Sequence, residues 1–192
     1  MLAKIGIGIL LVIVVLVVAI VTRPSSFHVA RSATIAAPAS IVFAQLDDFR
    51  RWRGWSPFEA GNPERTYSGT PAGQGSVYHY AGRKNGEGRL TMTDVVPNER
   101  VVVKAEFLKP FRATNRIELS LRPAAEGVVV TWAMSGRQTF TGKAISLFLN
   151  MDRVLGGEFE KGLDGLKRVS EQESAALGSS PSVPERTVSG AT

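Results

Sequence analysis

An uninterrupted apolar run near the N-terminus constrains this 192-residue chain more than any other feature. Between Lys4 and Arg23 the sequence contains no charged residue, proline, asparagine or glutamine. A helix that crosses a bilayer needs about 20 mainly apolar residues. No polar face interrupts the run at helical spacing, so it does not suit a helix that packs on a core. The run from Ile5 to Val21 therefore predicts a single transmembrane anchor within residues 1–23.

The alternative to an anchor is a cleavable signal peptide, and its features are missing. Signal peptides have shorter apolar cores, of roughly 7–15 residues, that end in a small-x-small cleavage site. The stretch from Val18 to Pro24 contains no such site. Lys4 and Arg23 flank the run on both sides, so the positive-inside rule barely discriminates between orientations. The short segment before the run favours a domain on the extracytoplasmic side of the membrane, with the cytoplasmic orientation left open.

Charge and residue usage narrow the possible functions. Lys and Arg outnumber Asp and Glu by 23 to 17, but the basic residues are scattered, which favours a solvated or lipid-facing surface over nucleic-acid binding. The chain has no cysteine and only two histidines, His28 and His79. Disulfides, thiolate nucleophiles and Cys-based metal sites are thereby excluded, and a His-rich centre is disfavoured. We expect no metal, no cofactor and no nucleic-acid partner.

The middle of the chain alternates apolar and polar residues with a period of two, which predicts β-strands. The clearest runs are residues 27–36, 78–80, 90–93, 101–108, 116–122 and 128–135. Turn residues separate them by short connections, and short connections join antiparallel neighbours. Pro38 begins a predicted helix that ends at Asp47, and a second short helical or looped stretch carries Phe49, Trp52 and Trp55. A parallel, Rossmann-type sheet is excluded.

The last predicted element is an amphipathic helix. Its apolar positions are Met151, Leu155, Phe159, Leu163 and Leu166. Its four glycines, at positions 156, 157, 162 and 165, each cost about 1 kcal/mol against alanine, so we expect close packing to offset them. From residue 171 to residue 192 the Ser, Gly, Pro and Ala content rises and periodicity is lost, which predicts a disordered tail.

Several spaced motifs resemble one superfamily. At the start of the soluble part they are Arg31-Ser32, Ile35, Ala37-Pro38, Val42-Phe43, Asp48-Phe49, Trp52 and Trp55-Ser56-Pro57. Near the end they are Trp132 to Gly136, Phe148, Asn150 to Asp152 and Phe159 to Lys167. These motifs resemble the SRPBCC (START-like) superfamily, and within it the polyketide cyclase/dehydrase-like proteins. The resemblance implies an α+β helix-grip (Bet v 1-like) fold over residues 24–170, with an antiparallel sheet wrapped around the C-terminal helix.

That fold implies an apolar cavity between sheet and helix, which members of the superfamily use for lipids, sterols, polyketides and other hydrophobic molecules. The candidate ligand-binding residues are Tyr78, Tyr80, Met92, Phe107, Trp132, Met134, Phe159 and Trp55. For each, core packing is the competing role. Trp52 and Trp55 fit either a gate over the cavity or a staple that closes the short helices onto the sheet. Strand alternation turns His79 away from both tyrosines, which indicates an exposed side chain.

No paired carboxylates, Ser/His/Asp set, nucleophile elbow or phosphate-binding glycine loop is recognisable in the sequence, so no catalytic residue is assigned. The favoured function is a membrane-anchored, non-catalytic domain that binds a hydrophobic small molecule or lipid. The alternative is a polyketide cyclase/dehydrase-like enzyme that acts on an apolar substrate.

Overall fold

A computed structural model describes residues 2–60, 63–82, 86–110, 112–138, 140–145 and 150–179. Its helices are α1 (Leu2–Val21), α2 (Ala39–Leu46), α3 (Phe140–Ile145) and α4 (Met151–Gly178), with two 3-10 turns at Arg51–Gly54 and Pro57–Glu59. Its strands are β1 (Ser26–Ile35), β2 (Glu64–Gly69), β3 (Ser76–Gly82), β4 (Gly86–Val96), β5 (Arg100–Lys109), β6 (Ala113–Ala124) and β7 (Gly127–Arg137). Phe148 and the Met151 side chain lie outside the described part of the chain.

The seven strands form one antiparallel sheet in the order β1-β7-β6-β5-β4-β3-β2. Strands β2 to β7 pair with their neighbours in sequence, which confirms the predicted meander. The β6–β7 turn needs Gly127, whose φ is 91° and whose added Cβ would lie 2.1 Å from the Ile35 carbonyl oxygen. Register shifts on β4, between Glu87 and Gly88 and between Met92 and Asp94, interrupt the ladder with β5. Such irregularities bend the strand that carries them.

Helix α4 packs on the sheet, mainly against β1. It runs in the same direction as that strand, since Arg31, Thr34 and Ala36 bond in turn to Asp152, Lys167 and Glu171. Phe159, Leu163 and Leu166 are fully buried in the core, as the apolar spacing predicts. On the exposed side, Arg31 of β1 forms ion pairs with Asp152 at 2.9 Å and with Glu160 at 2.8 Å. The predicted helix-grip α+β fold is confirmed.

The α4 glycines differ in what surrounds them. A Cβ added at Gly162 would lie 2.4 Å from Trp132 Cζ3, and one at Gly165 would lie 2.6 Å from the Trp55 carbonyl oxygen. A Cβ at Gly156 would meet the Arg31 guanidinium at 2.1 Å, whereas one at Gly157 would meet nothing within 4 Å. Close packing therefore accounts for three of these glycines, and the expectation was wrong for Gly157.

The predicted start of the tail at residue 171 is also wrong, because α4 continues to Gly178. The Ala36 amide donates to Glu171 at 2.9 Å, and both Gln45 and Arg51 donate to Glu173. Ser170 is completely buried. These contacts with residues distant in sequence stabilise the last turns of α4. The spacing of apolar residues along the chain does not predict such contacts. Residues 180–192 lie outside the described residues.

Helix α1 is long and apolar enough to cross a membrane. Its segment Lys4–Val21 has a mean hydropathy of 3.1, and none of it is buried against the rest of the chain. Hydrogen bonds from Gln138 and Lys143 hold the connection to β1. The Gln138 amide donates to the Ser25 carbonyl at 2.9 Å. Lys143 Nζ of α3 donates to Ser25 Oγ at 3.1 Å and to the Val21 carbonyl at 3.4 Å.

Candidate ligand-binding cavity

A cavity of about 400 Å³ lies between the sheet and the segment that carries the two 3-10 turns. Strands β3 to β7 contribute Tyr78, Tyr80, Leu90, Phe107, Ile117, Trp132 and Met134. The covering segment contributes Trp52, Ser56, Pro57, Phe58, Glu59 and Ala60. The expected cavity between sheet and C-terminal helix is therefore displaced, because residues 52–60 form the opposite wall. A volume of this order is typical of small-molecule pockets.

Five of the eight predicted ligand-binding residues line this cavity: Tyr78, Tyr80, Phe107, Trp132 and Met134. The other three belong to the surrounding core. Phe159 stacks behind Trp132 with ring centroids 4.8 Å apart, and Trp55 packs edge-on against the same indole at 5.5 Å. Met92 is almost fully buried on β4. Strand alternation predicts which face of the sheet a side chain lies on. It does not predict whether that side chain borders the cavity or packs in the core beside it.

The two tryptophans within residues 52–60, Trp52 and Trp55, act as staples. Trp52 Nε1 donates to the Leu46 carbonyl at 3.0 Å, and Trp55 Nε1 donates to the Gln45 carbonyl at 3.1 Å. Both bonds tie the 3-10 segment to the end of α2. Trp52 also presents its ring to the cavity. Buried indole N–H groups need such partners, and here the backbone supplies them.

A carboxylate, a phenol and a guanidinium meet at one end of the cavity. The Tyr78 hydroxyl donates to Glu59 Oε1 at 2.6 Å, and Arg65 Nε donates to Glu59 Oε2 at 2.7 Å. The Glu59 side chain is 8% exposed and that of Arg65 is 15% exposed. A buried carboxylate is costly unless it is paired and hydrogen-bonded, and both conditions are met here. Among the described residues of the lining, Glu59 is therefore the charged group, and the hydroxyls of Ser56, Tyr78 and Tyr80 are further polar side-chain groups.

Aromatic rings support this polar end from outside. Tyr67 stacks on Tyr78 with centroids 5.3 Å apart, and the Arg50 guanidinium lies 5.0 Å from the centre of the Tyr67 ring. Burial, followed by the hydrogen bond to Glu59, raises the pKa of Tyr78 far above its usual range. Burial likewise raises the pKa of Tyr67 and of Tyr80. The three tyrosines therefore remain protonated at neutral pH.

Sequence reasoning missed Glu59 and Arg65. One signal was available for Arg65, which shares a strand face with Tyr67 two residues later and lies opposite Tyr80 in the β2–β3 pairing. Glu59 ends a three-residue 3-10 turn, where no periodicity predicts the direction of a side chain. By contrast, the prediction for His79 is confirmed. Its side chain is 39% exposed and lies 3.5 Å from Glu87 on the outer face.

The sheet register relates the cavity to α1. Strand β1 leaves the α1 connection at Ser26, which pairs with Arg137 at the end of β7. Met134 lies three residues before Arg137 on β7, and Phe107 pairs with Gly88 and Ala113 near the same edge of the sheet. Tyr80 also pairs with Gly88. One end of the cavity therefore lies at the sheet edge from which α1 departs.

A family model described as "Polyketide cyclase / dehydrase and lipid transport" matches residues 26–171. No curated protein matches the chain. Among solved structures, protein CV1439 from Chromobacterium violaceum aligns with a TM-score of 0.55 at 15% identity, over 78% of this chain and 99% of its own. Protein SA2116 from Staphylococcus aureus, described as of unknown function, aligns with a TM-score of 0.58 at 12% identity, over 78% and 96%.

The di-domain ARO/CYC StfQ from the steffimycin biosynthetic pathway aligns with a TM-score of 0.60 at 14% identity, over 78% of this chain and 52% of its own. At these identities the solved structures establish a shared fold and leave function open.

Proposed function

Since the chain belongs to the polyketide cyclase/dehydrase and lipid transport family, we propose that it binds an apolar small molecule or lipid without transforming it. The domain does so while anchored to a membrane by α1. The observation that carries the proposal is the 400 Å³ cavity, whose lining is apolar except for a few polar groups. Cavities of this kind hold a ligand by burying its apolar surface and orient it through a small number of polar contacts.

The position of α1 supports a membrane source for the ligand. The cavity reaches the sheet edge that is joined to α1, and exposed basic side chains at that edge, Lys109, Arg112 and Arg137, suit anionic lipid headgroups. Lys109 pairs with Glu87 at 2.6 Å, yet its side chain is 74% exposed and can also reach solvent. We further propose that the domain lies on the extracytoplasmic side of the membrane.

The test compares the wild-type chain with a filled-cavity variant. Leu90→Trp places a bulky ring in the cavity, whereas Thr91→Trp, the next residue, points to the opposite face of β4 and serves as the matched control. Full-length proteins are purified in nanodiscs, and native mass spectra and solvent extracts are analysed for bound lipid. We expect wild type and Thr91→Trp to carry ligand and Leu90→Trp to carry none. Repeated recovery of folded, empty wild-type protein that takes up nothing from a lipid extract contradicts the proposal.

A second candidate function, an enzyme of the cyclase/dehydrase type, draws support from the Tyr78–Glu59 hydrogen bond. A carboxylate within an apolar cavity can accept a proton from a bound substrate. The hydrogen bond from the Tyr78 phenol can then adjust as the carboxylate loses its negative charge. The wild-type protein and Glu59→Gln are incubated with the same lipid extract, and recovered ligands are compared by mass. A product that only the wild type forms, such as one that has lost water, favours catalysis over binding.

A further inference from the structure

We propose that the cavity selects a ligand with a neutral hydroxyl group, an apolar alcohol or phenol, and that Glu59 accepts the hydrogen bond from that hydroxyl. This inference rests on the proposed binding function and names the chemical class of its ligand. It excludes the fatty acids, whose headgroup is a carboxylate.

The first step is the hydrogen-bonding capacity of Glu59. A carboxylate offers about four acceptor positions and no donor. Glu59 uses one on each oxygen, for Tyr78 and for Arg65, and the described residues supply it with no third hydrogen bond. Since its side chain borders the cavity, the remaining lone pairs are available to a ligand. Only a ligand that donates a hydrogen bond can use them.

Tyr78 strengthens this requirement. Its single proton is committed to Glu59, and burial and that carboxylate raise its pKa, so the phenol keeps the proton. The Tyr78 oxygen can therefore only accept a bond from a ligand. Ser56 and Tyr80 also border the cavity, but a hydroxyl can donate or accept and does not discriminate between ligand classes. Trp132 Nε1 has no hydrogen-bond partner among the described residues, but the atom is buried and has almost no surface to offer a ligand.

Charge balance excludes the carboxylate class. Arg65 lies 2.7 Å from Glu59 and compensates its charge, so the polar end of the cavity is close to neutral. An anionic headgroup placed beside Glu59 would bury a second negative charge, and the described residues that line the cavity include no cation to pair with it. A hydroxyl adds no charge and satisfies a carboxylate lone pair. The same acceptors that favour an alcohol therefore disfavour a fatty acid.

The test uses three probes of matched length: decanol, decanoic acid and methyl nonyl ether, which has the shape of the alcohol without its donor. Each is titrated at neutral pH into the full-length protein in nanodiscs, and binding is followed through the indole N–H signals of Trp52 and Trp132 in nitrogen-15 spectra. Glu59→Gln is the test variant. Glu87→Gln is the control, because Glu87 is also ion-paired but lies outside the cavity.

We expect wild type and Glu87→Gln to bind decanol about tenfold more tightly than either other probe, the effect of one hydrogen bond to a charged group. In Glu59→Gln we expect decanol to weaken and decanoic acid to strengthen. Opposite changes of this kind cannot come from partial unfolding. If Glu59→Gln does not fold, the ranking of the three probes by the wild type alone tests the inference.

Equal binding of the three probes by the wild type, or an unchanged ranking in Glu59→Gln, overturns this inference and leaves the proposed binding function standing. Failure of all three probes to bind a folded protein contradicts both.

Discussion

Replacing Gly165 by alanine tests whether α4 is held by backbone contact against the segment of residues 52–60 that covers the cavity. An alanine Cβ at this position would lie 2.6 Å from the Trp55 carbonyl oxygen and 3.2 Å from the Trp55 Cα. Both atoms are backbone, so no side-chain rotation can relieve the contact, and the helix must move away from the segment. Overpacking of this kind costs about 1–3 kcal/mol, and the rigid backbone favours the upper half of that range.

The helix propensity of alanine returns about 1 kcal/mol, so we expect a net loss of about 1–2 kcal/mol. The matched control is Gly157→Ala in the same helix, where an added Cβ would meet nothing within 4 Å. There the gain in propensity is unopposed, and we expect stabilisation by about 0.5–1 kcal/mol. For a chain of this length each kcal/mol shifts Tm by about 2–4 °C, so Gly157→Ala should melt above wild type and Gly165→Ala below it.

The assay is thermal unfolding of the full-length variants in one detergent, followed by tryptophan fluorescence, because Trp55 lies at the predicted contact. A Gly165→Ala variant that melts at or above the wild-type temperature would refute the reasoning. A decrease of equal size in both variants would also refute it, because it would point to a general intolerance of α4 to substitution.

Two further predictions concern α4 and its neighbours. Gly162→Ala should push the Trp132 ring, whose Cζ3 lies 2.4 Å from the added Cβ, toward the cavity, so ligand uptake should fall by more than the change in Tm explains. Arg31 lowers the pKa of Asp152, which means that their pairing stabilises the fold above the unfolded pKa of about 4 and is lost as pH falls below it. Arg31→Gln should therefore lower Tm at neutral pH and reduce the difference between neutral and acidic pH, which melting curves across that interval measure.

The antiparallel sheet was predictable because local information is sufficient for it. Alternation identifies each strand, and short turns such as the one at Gly127 leave only antiparallel neighbours. The end of α4 was not predictable in the same way. Residues 171–178 lack the apolar periodicity of the rest of α4, although most of them are strong helix formers, and Glu171 and Glu173 bond to Ala36, Gln45 and Arg51. Contacts between residues this distant in sequence leave no periodic signal.

The candidate site likewise contains residues that local sequence predicts and a residue that it does not. The cavity-lining side chains of β3, β5 and β7 follow from the alternation that places Tyr78, Tyr80, Phe107, Trp132 and Met134 on one face. Glu59 belongs to a 3-10 turn that crosses over that face, and only the folded arrangement brings it within 2.6 Å of the Tyr78 hydroxyl. The chemically distinctive residue is therefore the one whose position depends most on tertiary structure.

The connection between α1 and the sheet limits how far the cavity can lie from the membrane. For a spanning α1, only Thr22 to Ser25 separate the helix from β1, and four extended residues reach at most about 14 Å. The bonds from Gln138 and Lys143 to Ser25 hold the connection against the domain, so it cannot act as a free tether. The sheet edge that carries Met134 and Phe107 must then stay close to the lipid surface. A ligand that moves between bilayer and cavity would cross little water, which is where an apolar molecule is least stable.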